Sequence, residues 1–303
     1  MTTVGMIGLG QIGLPIVENL VKNGHEVVGF RRGDKSQLVA AGGIPAGSPR
    51  EVAESCRVIL SCLPDGGALE DVVSGPQGLA SADCTGLVLV DLSTLDLTTK
   101  SEQRRALEAK GGQMLDGAIS GVPQMVRARQ GVIYVSGDEA VFDNLRGVLS
   151  AIAEKIFFFG EFGNATKTKL TANILVALNI MATAEALAFG MKAGLPADRL
   201  IEALQDGAGA SLQFRVRAPV MAARGWDRVM ATTSMLLKDI HLIEAMRERL
   251  GCPTPMLDAA VTTYETTVST GLGEADVAAV FAVVAENAGL ARKTPQQPVQ
   301  ASV

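Results

Sequence analysis

Up to about residue 160 the apolar positions fall in short, nearly unbroken runs: Val4–Ile7, Glu26–Phe30, Val58–Cys62, Leu87–Asp91, Met114–Leu115, Val132–Val135 and Ile156–Phe159. Runs that do not alternate with polar positions belong to parallel strands covered by helices on both faces. Helix signals lie between them. Ser48-Pro49-Arg50-Glu51 reads as a capping box with proline in the first turn, and Ala40-Ala41-Gly42 as a short helix with a glycine stop. Strand–helix–strand repetition predicts right-handed βαβ units and a doubly wound sheet. After Gly163 the strand pattern ends. Thr166 to Lys192 reads as one helix of about 27 residues, near 40 Å at 1.5 Å per residue. Helical stretches follow at 198–204, 212–223, 234–250, 256–269 and 274–286, with Pro196, Pro219, Pro253 and Pro255 at or near the breaks. The expected layout is an α/β domain over residues 1–162 and an all-helical domain over 163–291, joined through the long helix. A disordered tail is expected over 292–303. Ligands of such chains usually occupy the cleft between domains.

Composition narrows the function classes. At 48% apolar and 19% charged residues, with mean hydropathy +0.26, the 303-residue chain is expected to form a compact globule. A net charge of −5 and a pI near 5.2 provide no basic field for nucleic acid or anionic lipid, so neither is an expected partner. Two histidines, His25 and His241, nearly exclude a histidine-based zinc site, and no metal is expected. Cys56, Cys62, Cys84 and Cys252 form no CxxC pair and read as buried thiols of a reducing compartment, which points to the cytoplasm. MTTVGMIGLG lacks a basic leader region, so no secretory signal is expected. The run Leu170–Met191 is long enough to cross a bilayer, but Asn173, Asn179 and Glu185 make a buried helix of a soluble protein the better reading.

Gly8-Leu9-Gly10-Gln11-Ile12-Gly13 fits G-x-G-x-x-G between a strand and a helix. In that setting glycines permit a tight turn, close approach of the backbone to a pyrophosphate, and close helix–strand packing. The helix N-terminus adds amide donors and partial positive charge. The first domain therefore reads as a Rossmann domain for a nicotinamide dinucleotide. At the end of the second strand stands Arg31-Arg32 rather than an acid, which suits the 2′-phosphate of NADP(H), with NAD(H) possible. Asp34 falls late for a ribose ligand and looks like a helix cap. Leu63 and Pro64 follow one strand end and are placed to pack on the cofactor. Thr94 follows another and is placed to reach the nicotinamide ribose, although Ser93-Thr94 alone also reads as an ordinary helix cap.

Three further groups could carry chemistry. Thr166, Lys169 and Asn173 share one face of the long helix, so Lys169 and Asn173 are polar positions on an apolar stripe. A snorkelling lysine explains this as readily as a catalytic one. Asp116 to Val122, DGAISGV, offers a serine hydroxyl and glycine amides for a carboxylate, or simply a turn. Lys238-Asp239 is an adjacent pair on a later helix that, taken alone, reads as surface.

Together these groups, in this order and spacing, resemble the β-hydroxyacid dehydrogenase family over nearly the whole chain. The family includes 3-hydroxyisobutyrate dehydrogenases and glyoxylate/succinic semialdehyde reductases. Gly8 to Gly13, with Asn19-Leu20 and Gly24-His25, looks like its cofactor motif. Asp116 to Gly121 looks like its substrate motif. Gly160-Glu161-Phe162-Gly163 with Lys169 and Asn173 is similar to its catalytic motif, and Lys238-Asp239 matches its late pair. The resemblance implies that Lys169 is the general acid/base and Asn173 orients the substrate. It implies that Ser120 and the Gly121 amide, with Val122 beside them, bind the substrate carboxylate. Lys238 would approach carboxylate or cofactor, anchored by Asp239. Lys238 nearby is expected to depress the Lys169 ammonium. Homodimers or homotetramers are implied too. Departures fall around the substrate: Val122-Pro123 replaces a glycine step, Ala118 a proline, Ala172 an asparagine and Ala231 an aromatic, while Arg127 and Arg129 replace small residues. The arginines suit either an acidic substrate or a surface contact. Imine reductases share the scaffold but typically lack the lysine, and 6-phosphogluconate dehydrogenases are longer in the helical half. A catalytically idle dinucleotide-binding module is the remaining alternative.

Overall fold

The computed structural model describes residues 2–290, so the expected tail at 292–303 lies outside the described residues. The chain parts into two compact units, Met1–Ala172 and the residues from Asn173 onward.

The first unit alternates strands and helices: β1 (Thr3–Ile7), α1 (Gly13–Lys22), β2 (Glu26–Phe30), α2 (Ser36–Ala40), β3 (Ile44–Pro45), α3 (Pro49–Ser55), β4 (Val58–Ser61), α4 (Gly66–Val73), β5 (Val88–Asp91), α5 (Leu97–Glu108), β6 (Gln113–Ser120), α6 (Pro123–Arg127), β7 (Val132–Ser136), α7 (Glu139–Ile152) and β8 (Lys155–Phe158). They build one eight-stranded sheet in the order β3-β2-β1-β4-β5-β6-β7-β8. The pairs from β3 through β6 are parallel, as the unbroken apolar runs predict, but β6 and β7 pair antiparallel, with Asp116 opposite Ser136 and Ser120 opposite Val132. Two apolar layers cover the sheet. Ile16, Leu20, Val126, Phe142 and Leu149 belong to one, and Val52, Leu69, Val73 and Leu107 to the other. Full burial of such side chains is worth about 1.5–3 kcal/mol each.

Helix α8 (Asn164–Lys192) leads out of this unit. Its first nine residues belong to the compact unit of the sheet. The reason is capping. First-turn amides have no helical acceptor; here Ala165 N donates to Ser136 Oγ (2.9 Å) and Thr166 N to Asp116 Oδ2 (2.9 Å).

The second unit holds the rest of α8 with α9 (Ala197–Leu204), α10 (Leu212–Ala223), α11 (Thr233–Leu250), α12 (Pro255–Thr267) and α13 (Val280–Asn287). Pro219 lies inside α10 rather than at a break. Tyr264 is fully buried, and its hydroxyl donates to Ala177 O at 2.8 Å. By length and composition α8 could cross a membrane. Its buried Asn173, bonded to another helix as described below, marks it as a core helix instead.

Candidate functional site

The glycine turn shows why each glycine stands where it does. At Gly8, with φ +90°, a Cβ would lie 2.1 Å from Cys62 O; at Gly13 it would lie 1.9 Å from Gly8 O. Both leave no room because β1, β4 and α1 meet there. At Gly10 a Cβ would touch nothing within 4 Å, and the residue is exposed. The first turn of α1 has neither a side-chain cap nor an acid. Leu9 is buried, Ile12 half-buried and Gln11 exposed. Open backbone before uncapped helical amides fits a dinucleotide pyrophosphate.

Arg31 is half-buried and its Nη1 donates to Leu9 O (3.3 Å), which lays the guanidinium along the glycine turn. Arg32 is exposed. Asp34 is engaged by Ser36, accepting from its amide (3.0 Å) and its hydroxyl (2.5 Å), bonds that lower its carboxyl pKa. It thus acts as a turn-forming acid before α2.

At the next strand ends, half-buried Leu63 donates its amide to Ser93 Oγ (2.8 Å), while Pro64 is exposed and Thr94 half-buried. Ser93 is no helix cap: Asp96 caps α5 through Thr98 N. Ser93 instead donates to Asp91 Oδ1 (2.6 Å), as does Ser61 (2.7 Å).

Ser120 ends β6, and Gly121 follows at φ +152° before Val122 and the Pro123 that opens α6. All are half-buried. Asn19 of α1 donates to Val126 O (2.7 Å), tying this turn to the glycine-turn helix. Arg127 bonds Glu18 of α1 (2.6 Å), and Arg129, at φ +61°, donates to Ser150 O (2.5 Å) at the end of α7. Both arginines are scaffold contacts.

Half-buried Lys169 lies one turn after Thr166 on α8. Within the second unit, Asn173 Nδ2 donates to Asp239 Oδ2 (2.7 Å), and Lys238 Nζ pairs with Asp239 Oδ1 (2.9 Å). The adjacent Lys-Asp pair is therefore no surface feature: buried Asp239 holds both Asn173 and Lys238.

Sequence reasoning passed over Lys100. Its side chain is wholly buried, 2.8 Å from Asp116 Oδ1 and 3.1 Å from Asp91 Oδ2, and it donates to Gly117 O (3.1 Å). Burial alone would depress its ammonium, but Asp116 and Asp91 outweigh that and raise it. Burial likewise disfavours the Asp116 carboxylate, yet Lys100 and the Thr166 bonds hold its pKa below the usual range. The cysteines are free, with Cys56 and Cys84 buried, Cys62 half-buried and Cys252, contrary to expectation, exposed. Burial lifts the Cys56 thiol to about 11 and also raises Cys84.

Two family models match in tandem: the NAD binding domain of 6-phosphogluconate dehydrogenase over residues 3–160, and the NAD-binding domain of NADP-dependent 3-hydroxyisobutyrate dehydrogenase over 163–284. The chain belongs to the β-hydroxyacid dehydrogenase family. As a member, it is an oxidoreductase with a nicotinamide dinucleotide cofactor. Glyoxylate/succinic semialdehyde reductase 1 of Arabidopsis thaliana is 30% identical over 93% of this chain and 98% of that protein. The 2-(hydroxymethyl)glutarate dehydrogenase of Eubacterium barkeri is 30% identical over 95% and 96%. A solved 3-hydroxyisobutyrate dehydrogenase of Salmonella typhimurium superposes with TM-score 0.86 at 25% identity, over 93% of this β-hydroxyacid dehydrogenase and all of that chain. An imine reductase of Myxococcus stipitatus shares the fold at TM-score 0.62 and 20% identity, over 92% and 98%.

Proposed function

We propose that the enzyme interconverts a small 3-hydroxy acid and its semialdehyde or keto acid, using NADP(H) in preference to NAD(H), with Lys169 as general acid/base. One observation carries the reading: a single carboxylate, Asp116, lies in the middle of β6, the strand that ends at Ser120, and bonds Thr166, one turn before Lys169. The strand that ends in the proposed carboxylate donors and the helix start that carries the proposed proton donor are thereby bonded through one residue.

A nicotinamide dinucleotide, which Gly8–Gly13 and Arg31 would hold, would supply or accept the hydride. In reduction, negative charge develops on the carbonyl oxygen; Lys169 Nζ stabilises it and donates the proton, and in oxidation it takes that proton back. The Ser120 hydroxyl and the Gly121 amide donate to the substrate carboxylate, with Val122 shaping the turn. Asn173 orients the substrate and Lys238 approaches carboxylate or cofactor, both held by Asp239. Arg31 and Arg32 take the 2′-phosphate; Arg31 lying along the glycine turn supports the NADP preference.

Lys169→Ala is expected to fold and bind NADPH but lose at least about a hundredfold in turnover. Near-normal turnover retires the mechanism. Arg31→Ala with Arg32→Ala narrows the NADPH/NADH preference; an unchanged ratio of dissociation constants returns both arginines to solvent. NADPH oxidation followed by absorbance over a panel of semialdehydes, glyoxylate and cyclic imines separates this reading from imine reduction and from an idle binding module.

The reading also includes self-association into a homodimer or homotetramer, supported by exposed Leu175, Phe189, Leu250 and Met256 in the helical unit. Light scattering tests it. A cytoplasmic location is part of the reading, supported by the free thiols.

A further inference from the structure

The buried charges around Lys100 are more numerous than the fold requires. One ammonium faces two carboxylates with no water-exposed surface on any of the three side chains. Well-packed apolar residues often stabilise a core as well as a buried ion cluster does, so stability alone does not explain this one. Where its remaining bonds go is more informative. Asp91 Oδ1 accepts from Ser61 and Ser93, and Ser93 in turn holds the Leu63 amide of the cofactor-side loop. Asp116 Oδ1 accepts from Thr166 Oγ1 (2.6 Å) and Lys100; its Oδ2 accepts from Thr166 N and from Ser136 Oγ (3.0 Å), which itself accepts from Ala165 N. A negative group at the first turn of α8 also suits the helix dipole. Lys100, on α5, thus joins the carboxyl end of β5 and the middle of β6 to the start of α8.

We propose that Lys100 is a positioning residue for hydride reduction: by clamping Asp91 and Asp116 together it sets Lys169, the Ser120–Gly121 turn and the Leu63 loop in one fixed register. This rests on the reading of Lys169 and Ser120 given above. Without the ammonium, two buried carboxylates would repel across the gap between β5 and β6, and Asp116 would release or reorient Thr166. Lys169 would then sit on a helix start with altered position. A displacement of about 1 Å in a catalytic group can cost on the order of a hundredfold in rate.

The test uses the full chain, Lys100→Met and the milder Thr166→Val, which removes one bond to Asp116 and leaves the ion cluster in place. Hydrogen exchange requires no substrate. In Lys100→Met, exchange at amides of 116–121 and 164–170 should accelerate about tenfold more than at those of β1 and β2, which report the loss of global stability. Uniform acceleration, or none, overturns the proposal. With NADPH and succinic semialdehyde as the probe pair, Lys100→Met should lower kcat between about tenfold and a hundredfold, with KM and the NADPH dissociation constant within about twofold. Thr166→Val should lower kcat about threefold, and the double variant should lose no more than Lys100→Met alone, since both act through Asp116. Independent, multiplying losses overturn the proposal, as does a loss confined to KM. If Lys100→Met fails to fold, Thr166→Val decides through its exchange and kcat; both unchanged is a refutation. Full turnover in Lys169→Ala would retire the functional reading, whereas unaltered exchange and kcat in the Lys100 variant would retire only the clamp.

Discussion

Among the described residues, Lys100 with its two carboxylates in the sheet unit and Arg217 with Asp276 in the helical unit are ionic groups almost wholly buried, and the two are built to different ends. In the helical unit Arg217 of α10 pairs with Asp276 ahead of α13, both oxygens at 2.5 Å, and Asp276 also accepts from Met230 N (2.8 Å) and Ala278 N (3.0 Å). Those bonds, with a longer one from Ala231 N (3.5 Å), close the loop at 230–231 onto a helix. In the sheet unit the cluster of Lys100, Asp91 and Asp116 passes its bonds onward to Leu63 and Thr166, residues next to the proposed chemistry. Burial and charge alone do not distinguish the two. What differs is the identity of the groups satisfied at the rim, and that is where a structural staple and a positioning device part company.

Breaking either cluster from one side should be the largest effect on stability. Arg217→Met and Lys100→Met are each expected to cost about 3–5 kcal/mol in urea unfolding, because each strands a buried carboxylate. The contrast lies in turnover per folded molecule, unchanged for Arg217→Met and reduced for Lys100→Met. A comparable loss in both would dissolve the distinction.

The pH response sharpens it. The lowered Asp116 pKa contributes stability that is present above about pH 4 and lost as pH falls through its folded value. The raised Lys100 pKa contributes stability present below about pH 10 and lost as pH rises through its own. The wild-type cluster should therefore be indifferent to pH between about 5 and 9. In Lys100→Met, burial dominates Asp116 and raises its carboxyl, so stability should fall as pH rises from about 5 to 8. Urea midpoints at the two ends check the sign.

Smaller effects belong to simpler contacts. Tyr264→Phe removes the bond to Ala177 O and should cost about 1 kcal/mol in thermal unfolding, with kcat unaltered. Arg127→Ala breaks a half-exposed pair with Glu18 and should cost below about 1 kcal/mol, less still in high salt. A changed substrate preference in that variant would return Arg127 to the site.

Much of this was legible before any coordinates. The strand–turn–helix signature of Gly8–Gly13 and the α8 face rest on local patterns, and local patterns survive in sequence. Four things were hidden. Two-residue β3, exposed at the sheet edge, carries no pattern to read. Strand β6 runs through Asp116-Gly117-Ala118, poor strand formers that look like a turn. Asp116 is tolerated there because Lys100 neutralises it, and Gly117 because a Cβ would lie 2.9 Å from the Leu92 side chain. Lys100 itself sits in LTTKSEQRRALE, which looks solvated all round. A trace existed: Lys100, Gln103 and Leu107 share one helical face, and these are the buried residues of α5. The partnership of Asn173 with Asp239, 66 positions apart, leaves no such trace.

The exposed backbone at Gly10 turns one methyl group into a selective reporter. Alanine there meets no neighbour in the folded chain, so melting of the ligand-free protein should be indifferent to it, whereas a diphosphate bound at the glycine turn, as proposed, would meet the added methyl. A chemist thereby gains a handle that separates making the protein from loading it, a separation that Gly8 and Gly13, wedged against backbone oxygens, cannot offer.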